Sequence, residues 1–221
     1  SDLHASRLLP AAWIEAVVER ANSLKPDLIL ITGDLVDGTP ALRSLDVAPL
    51  RALTARLGVF AIPGNHEYYA SYPEWLSAFA GLGLPMLLNS HVLVRDKGHA
   101  LVIAGTTDRA AERIGEAMPD IRAALAGAPA DAVRLLLAHQ PRGAEKNAAA
   151  GVDLQLSGHT HGGQVLGLHF ITGFANDGLV SGVYRIGEMQ LHVSNGTGLW
   201  NGFPVRLGRP AEITEIVLRA P

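Results

Sequence analysis

Four short apolar runs in this chain each end in polar side chains of the kind that bind metal ions, and this repetition constrains the fold more than any other feature. "LILITGD" closes on Asp34, "VFAIPGNHE" on Asn65 and His66, "RLLLAHQP" on His139, and "LQLSGHTH" on His159 and His161. Short continuous runs of this kind, bounded by turn residues, read as buried strands. Their polar ends then lie at strand C-termini, where open α/β folds bind ligands. The equivalent positions predict that all four groups share the carboxyl edge of one sheet. Glycine precedes three of the four, at Gly33, Gly64 and Gly158. Without a Cβ it allows a sharp exit from a strand and close approach of backbone to a ligand.

Helical patterns alternate with these strands. "AAWIEAVVERANSLK" places Trp13, Val17, Ala21 and Leu24 on one stripe, and "ALRSLDVAPLRALTARL" reads as a Pro-interrupted helical segment. "YPEWLSAFAGLG" is a short helix ending in glycines, and "HVLVRDKGHALVIAG" is a hairpin turning near Asp96 to Gly98. "AAERIGEAMPDIRAALAG" is expected to be helical despite Pro119, and "GAEKNAAAG" is a short helix. From about Asn176 onward the pattern changes to strands and turns, "GLVSGVYRI", "EMQLHVSNG" and "EITEIVLR". This is α/β layering with an antiparallel C-terminal portion, in a single domain over residues 1–221.

Composition narrows the function. With Lys+Arg 18 against Asp+Glu 21, the net charge is -3, so the basic footprint of a duplex-DNA binder is missing and no stable nucleic-acid partner is expected. No apolar run reaches the roughly 20 residues that span a bilayer. The chain has no cysteine, so any metal must be held by His, Asp, Glu or Asn. His159 and His161 are two residues apart. In an extended segment their rings point to one side, and from a loop they can serve two adjacent ions. Imidazole is the commonest protein metal ligand, and carboxylate and amide oxygens complete such a set. Asp2 and His4, in "SDLH", are the remaining candidates.

"SDLH", "GDLVDG", "GNHE", "LLAHQP" and "SGHTHGGQ", in this order and with these gaps, resemble the calcineurin-like metallophosphoesterases. With "VSNGTGLWNGFPVRLGRPAEITEIVL" added, the resemblance is to the bacterial branch of membrane-associated phosphohydrolases and phosphodiesterases. It implies a four-layer α/β/β/α sandwich with mixed sheets. It also implies one metal ion on Asp2, His4, Asp34 and His161 and a second on Asp34, Asn65, His139 and His159, with Asp34 shared. His66 matches the residue that assists the leaving group or stabilises the phosphoryl oxygens, and Asn65 and His66 are the implied substrate-binding residues. In the family the first motif follows a core strand. Here nothing precedes Ser1, so either that strand, and with it any anchor or leader, has been cut away, which is the expectation, or the first metal site hangs on a frayed terminus.

Phosphate esters resist attack because their oxygens repel a nucleophile and water is poorly ionised. Two metal ions about 3.5 to 4 Å apart acidify a bridging water and clamp the substrate for in-line displacement. Asp2 and Asp34 offset half the charge of two divalent ions, which leaves positive charge to hold hydroxide and phosphate. Four histidines among seven ligands disfavour magnesium and point to manganese, with zinc or iron as alternatives. The expected enzyme is a two-metal phosphodiesterase or pyrophosphohydrolase acting on small-molecule or lipid-linked esters, in the cytoplasm or in peripheral association with a membrane. The alternatives are a broad phosphomonoesterase, a nuclease, and a non-catalytic metal-binding scaffold that would be expected to have lost ligands.

Some residues stand between two readings. Asp37 either orients a ligand histidine or closes its "DLVDG" turn, and Glu67 poses the same choice. His91, His99, His169 and His192 are assigned no role, with His169 in "GLHF" the first exception to look for. "GLWNGFPVRLGRP" either packs as a loop on the sandwich edge or sets Trp200 and Phe203 beside the cleft as an apolar wall, with Arg206 and Arg209 as a cationic rim.

Overall fold

The computed structural model describes residues 1–219. Its first sheet is a parallel pair, β1 (Ile29–Ile31) and β2 (Val59–Ala61), in register Ile29 to Val59. The second has six strands: β3 (Ser90–Asp96), β4 (His99–Gly105), β5 (Val133–Leu137), β6 (Leu154–Ser157), β7 (Gly182–Ile186) and β8 (Met189–Val193). Their order is β3-β4-β5-β6-β8-β7. The inner four run parallel, and β3 and β7 close the two edges antiparallel.

Side-chain alternation explains the layers, since successive residues of a strand face opposite sides. Ile103, Leu135, Leu137 and Leu156 pack with Leu30, Phe60 and Ile62 to fill the space between the sheets. Val102, Ala104, Leu136 and Leu191 face the other way, onto Ala124 of α5 (Ile121–Ala124) and Ala144 of α6 (Ala144–Ala149). Outside the first sheet lie α1 (Ala11–Ser23), α2 (Pro40–Val47) and α4 (Tyr72–Gly81), whose Ile14, Val18, Val47, Trp75 and Phe79 join Ile31 and Ala61 in a third core. The result is the α/β/β/α sandwich. No helix among the described residues is long and apolar enough to cross a membrane.

Several expectations need correction. The four polar groups do not share one sheet: Asp34 and Asn65 follow strands of the first, His139 and His159 strands of the second. Both sheets present their carboxyl ends on the same side, so one edge collects all four. The buried stripe of α1 is Ile14 and Val18, while Trp13 is exposed. The segment around Pro119 is no continuous helix. A 3-10 turn over Arg109–Ile114 stops at Gly115, whose φ is 73, and α5 starts only at Ile121, capped by Asp120. α7 (His169–Ala175) and the short α3 (Asn65–Tyr69) were not expected. "EITEIVLR" forms no strand among the described residues. The hairpin is as read, with Lys97 and Gly98 both at positive φ, as a two-residue turn between twisted strands requires.

Candidate metal centre

The site begins at the first residues of the chain, which are held on two sides. Asp2 N, His4 N and Ala5 N donate to the carbonyls of Gly33, Asp34 and Leu35, each at 3.0 Å, while Thr197 N and Gly198 N donate to those of Ser1 and Asp2. Asp2 and His4 are fully buried. The loops after β1 and β2 are tied together by Glu67. Its buried carboxylate accepts from Gly64 N (2.7 Å), Asp34 N (3.0 Å), Leu35 N (2.7 Å) and Val36 N (3.2 Å). Burial and the nearby Asp34 charge push its pKa up to about 7. Gly33 shows why glycine stands here: a Cβ on it would lie 2.5 Å from Gly64 N, so a larger residue would force the two loops apart.

The backbone at the candidate ligands is unusual. Asp2, His4, Asp34, His159 and His161 all have φ between 50 and 70, a left-handed conformation that side-chain-bearing residues rarely adopt. Each such residue costs ~1–3 kcal/mol and persists only where its surroundings enforce it. The conformation turns these side chains toward one another.

Asp34 Oδ2 is central. It lies 3.2 Å from His139 Nε2, 3.7 Å from His4 Nε2 and 4.0 Å from His66 Nε2, while Oδ1 accepts from His66 N at 2.8 Å. On one side Asp2, His4 and His161 bring donor atoms together, with His4 Nε2 and His161 Nε2 3.1 Å apart and His161 Nε2 3.5 Å from Asp2 Oδ1. On the other, Asp34, His139 and His159 do the same, and Asn65 Oδ1 stands 3.1 Å from His139 Nε2. The structure therefore brings all seven sequence-read ligand candidates to one edge.

This donor set fits cations. His139 Nδ1 donates to the Thr32 carbonyl at 2.7 Å, because a carbonyl can only accept. Nε2 of the neutral ring is then a lone pair facing two further acceptors, Asp34 Oδ2 and Asn65 Oδ1, and only a proton or a cation resolves that arrangement. The carboxylates supply the pull. Burial opposes charge on His139, yet the charge and hydrogen bond of Asp34 raise its pKa to about 10. His4, also buried, is raised to about 9 by its hydrogen bond to Asp37 and by the Asp34 charge. His161 goes the other way, to about 4, chiefly because of burial and the adjacent His4 and Arg206 charges. Charge that holds protons on His4 and His139 also attracts metal ions.

Asp37 is more than the end of a turn. Its carboxylate meets His4 Nδ1 at 3.1 Å, pairs with His66 Nδ1, and accepts from Asn201 Nδ2. Burial resists its ionisation, but the hydrogen bonds from His4 and His66 bring its pKa down to about 2. His66 is partly exposed, stands edge-on to His4 and contacts Tyr69. Asn201 had no signal in the sequence, being one polar residue in an irregular loop.

The loop after Gly198 is anchored to the centre by its backbone. Trp200 N donates to Gln164 Oε1 at 2.6 Å, and Gln164 Nε2 donates to the Phe203 carbonyl at 2.5 Å. The Trp200 and Phe203 side chains are 48% and 46% exposed. Arg206 does not form the expected rim. Its guanidinium donates to the carbonyls of His161, Asn195, Gly196, Gly198 and Arg209, and so ties the loop to the ligand segment. Arg209 lies against Gly162 with its Nε buried. His169 Nδ1 accepts from Gly167 N at 3.0 Å, outside the clusters, and His91 is bonded to the Ala124 carbonyl.

Residues 1–163, which carry every candidate ligand, match the family model for calcineurin-like phosphoesterases. The chain belongs to this family. Among relatives of the calcineurin-like phosphoesterase, a Bos taurus "Transmembrane protein with metallophosphoesterase domain" is 35% identical over 100% of this chain and 52% of its own length. An uncharacterized metallophosphoesterase of Helicobacter pylori is 34% identical over 99% of this chain and 58% of its own. The uncharacterized metallophosphoesterase YkuE of Bacillus subtilis is 32% identical over 100% and 77%. The chain thus spans about half the length of several relatives it matches. A solved Staphylococcus aureus structure, described as a candidate 5′-nucleotidase, shares the fold with a TM-score of 0.51 at 12% identity, covering 93% of this chain and 50% of that one. Within this family fold, Asp2, His4 and His161, and Asp34, His139 and His159, form two groups that could each hold a metal ion.

Proposed function

We propose that this phosphoesterase holds two divalent ions and hydrolyses phosphodiesters or pyrophosphates. The observation that carries the reading is the position of Asp34 Oδ2, between the His4/His161/Asp2 group and the His139/His159/Asn65 group. One ion would take Asp2, His4, Asp34 and His161, the other Asp34, Asn65, His139 and His159. Manganese suits this mixture of imidazole and oxygen, with zinc or iron next. Bound there, the ions supply an acidified water and positive charge for the phosphoryl oxygens.

The chain's own groups do the rest. Asp34 is the shared ligand, and its charge offsets repulsion between the ions. The Thr32 carbonyl and Asp37 hold His139 and His4 by their Nδ1 atoms, so each presents Nε2. His66, held by Asp37 and still partly exposed, is positioned to give a proton to the leaving oxygen or to hold the phosphoryl oxygens. Asn65 contributes both to a metal and to the substrate.

We infer that Trp200 and Phe203 belong to a wider apolar lip. Leu166, Phe170, Ile171, Phe174 and Leu207 are also exposed, Phe174 to 94%, and no Asp, Glu, Lys or Arg occurs between Asp153 and Asp177. The lip suits the apolar part of an amphiphilic or lipid-linked ester, and peripheral contact with a membrane. The name of the Bos taurus relative supports the same direction.

The test is a hydrolysis screen of mono-, di- and pyrophosphate esters with each of Mn²⁺, Zn²⁺, Fe²⁺ and Mg²⁺. Diesters or pyrophosphates should turn over fastest, with Mg²⁺ poorest. Faster monoester hydrolysis would make the protein a phosphomonoesterase instead.

A further inference from the structure

A cavity lies beside the candidate metal centre. At the carboxyl ends of β4 and β5 a cavity of about 350 Å³ opens between the 3-10 turn at Arg109 and helix α6, and His139 forms part of its wall. Since His139 also belongs to the metal group with Asp34 and His159, the cavity and the metal centre share a side chain.

The cavity's charges are unevenly committed. Arg109, Arg142 and Lys146 line it, against Asp108 and Glu112. Asp108 is buried, and its carboxylate already accepts from Ala110 N at 2.8 Å and from Gln140 Nε2 at 3.0 Å on each oxygen. Arg142 reaches Asp177 at 3.6 Å. Arg109 and Lys146 make no side-chain hydrogen bond or ion pair among the described residues. The Arg109 guanidinium crosses over the start of α6, where a Cβ on Gly143 would come within 3.2 Å of Nη2. Cations in a cleft with low-dielectric walls focus potential onto an incoming anion, and guanidinium presents paired donors that match phosphate or carboxylate.

We propose that this cavity is an anion subsite: it takes a second anionic group, phosphate or carboxylate, of a substrate whose scissile ester lies at the metal centre. Arg109 and Lys146 are its recognising cations, and Gln140 is held at its floor by Asp108. The proposal rests on the hydrolase reading and narrows the substrate class to esters that carry another phosphate or carboxylate, as a nucleotide-like diphosphate does.

Binding tests it apart from catalysis. Inorganic phosphate and succinate are titrated by calorimetry into metal-free wild type, Arg109→Gln and Lys146→Gln. Both side chains are exposed, so neither change removes core packing. Saturable binding of one anion, weakened about tenfold or more in each variant as a lost charged hydrogen bond implies, is the expected result. Phosphate or succinate as the better ligand identifies the group recognised. No binding of either anion, or binding equally strong in both variants, overturns the subsite. In the Mn²⁺-loaded protein, the kcat/KM ratio between a diester bearing a second phosphate and a plain aryl diester should fall about tenfold or more in the variants, and an unchanged ratio counts against the proposal. If no ester is hydrolysed at all, the hydrolase reading fails, and the calorimetry still decides the subsite.

Discussion

The metal-ligand edge and the apolar lip meet at Gln164, yet they are built in opposite ways. At the edge, five candidate ligands share strained left-handed backbone, and the buried side chains of His4, His139 and Asp34 are held at a second atom by Asp37, the Thr32 carbonyl and the His66 amide. At the lip the backbone is tied through Gln164, Asn201 and Arg206, while Trp200, Phe203, Phe170 and Phe174 are left exposed. Chemistry on a phosphorus atom needs groups fixed to a fraction of an ångström. Binding an apolar chain needs mainly area removed from water, which is not directional. Substitutions at the edge should therefore act on rate and metal content, and those at the lip on which substrate is accepted.

The comparison breaks most sharply at Asp34. Asp34→Asn removes the shared charge, so occupancy should fall at both sites and activity should drop below that of every other variant. Metal analysis that still finds two full equivalents would end the sharing role. His66→Ala should keep its metal and lose about 10²–10⁴-fold in kcat, the span of a positioned proton donor, and less on substrates with good leaving groups. Equal losses on good and poor leaving groups would leave His66 a purely electrostatic role, and a loss of metal would make it a ligand.

Asp37→Asn tests the layer behind the ligands. Such second-sphere partners typically contribute about 10–100-fold in metal affinity or activity, and wild-type values for both would return Asp37 to a turn residue. The smallest and most selective effects are expected at the lip. Trp200→Ala and Phe203→Ala should stay folded, since both side chains are half exposed, and should slow turnover of a long-chain diester while sparing a short soluble one. Losses that are equal on the two substrates, or absent on both, would reduce the loop to packing.

Much of the centre was legible because its signals are local. A buried strand, a glycine and a ligand follow one another within a few residues, so "LILITGD" or "LQLSGHTH" can be read without knowing the fold. The failures have local causes of their own. "EITEIVLR" has strand composition, but pairing requires a neighbour, and none lies beside it among the described residues. α7 was missed because its apolar residues, Phe170, Ile171 and Phe174, face outward, so no buried stripe marks it. The stretch from Ala110 to Gly127 has helical composition, yet Gly115 and Pro119 divide it.

The candidate ligands, most strand positions and the family were legible in the sequence alone, because side-chain chemistry and the two-residue period of a strand are carried by neighbouring residues. Only the tertiary structure decided that two sheets feed one site, that Asp37 joins His4 to His66, and that Arg206 faces inward to carbonyls rather than outward to substrate. These outcomes depend on contacts between segments far apart in the chain, 33 residues for His4 and Asp37 and 45 for Arg206 and His161. No local pattern encodes such distances, since packing of the two sheets sets them.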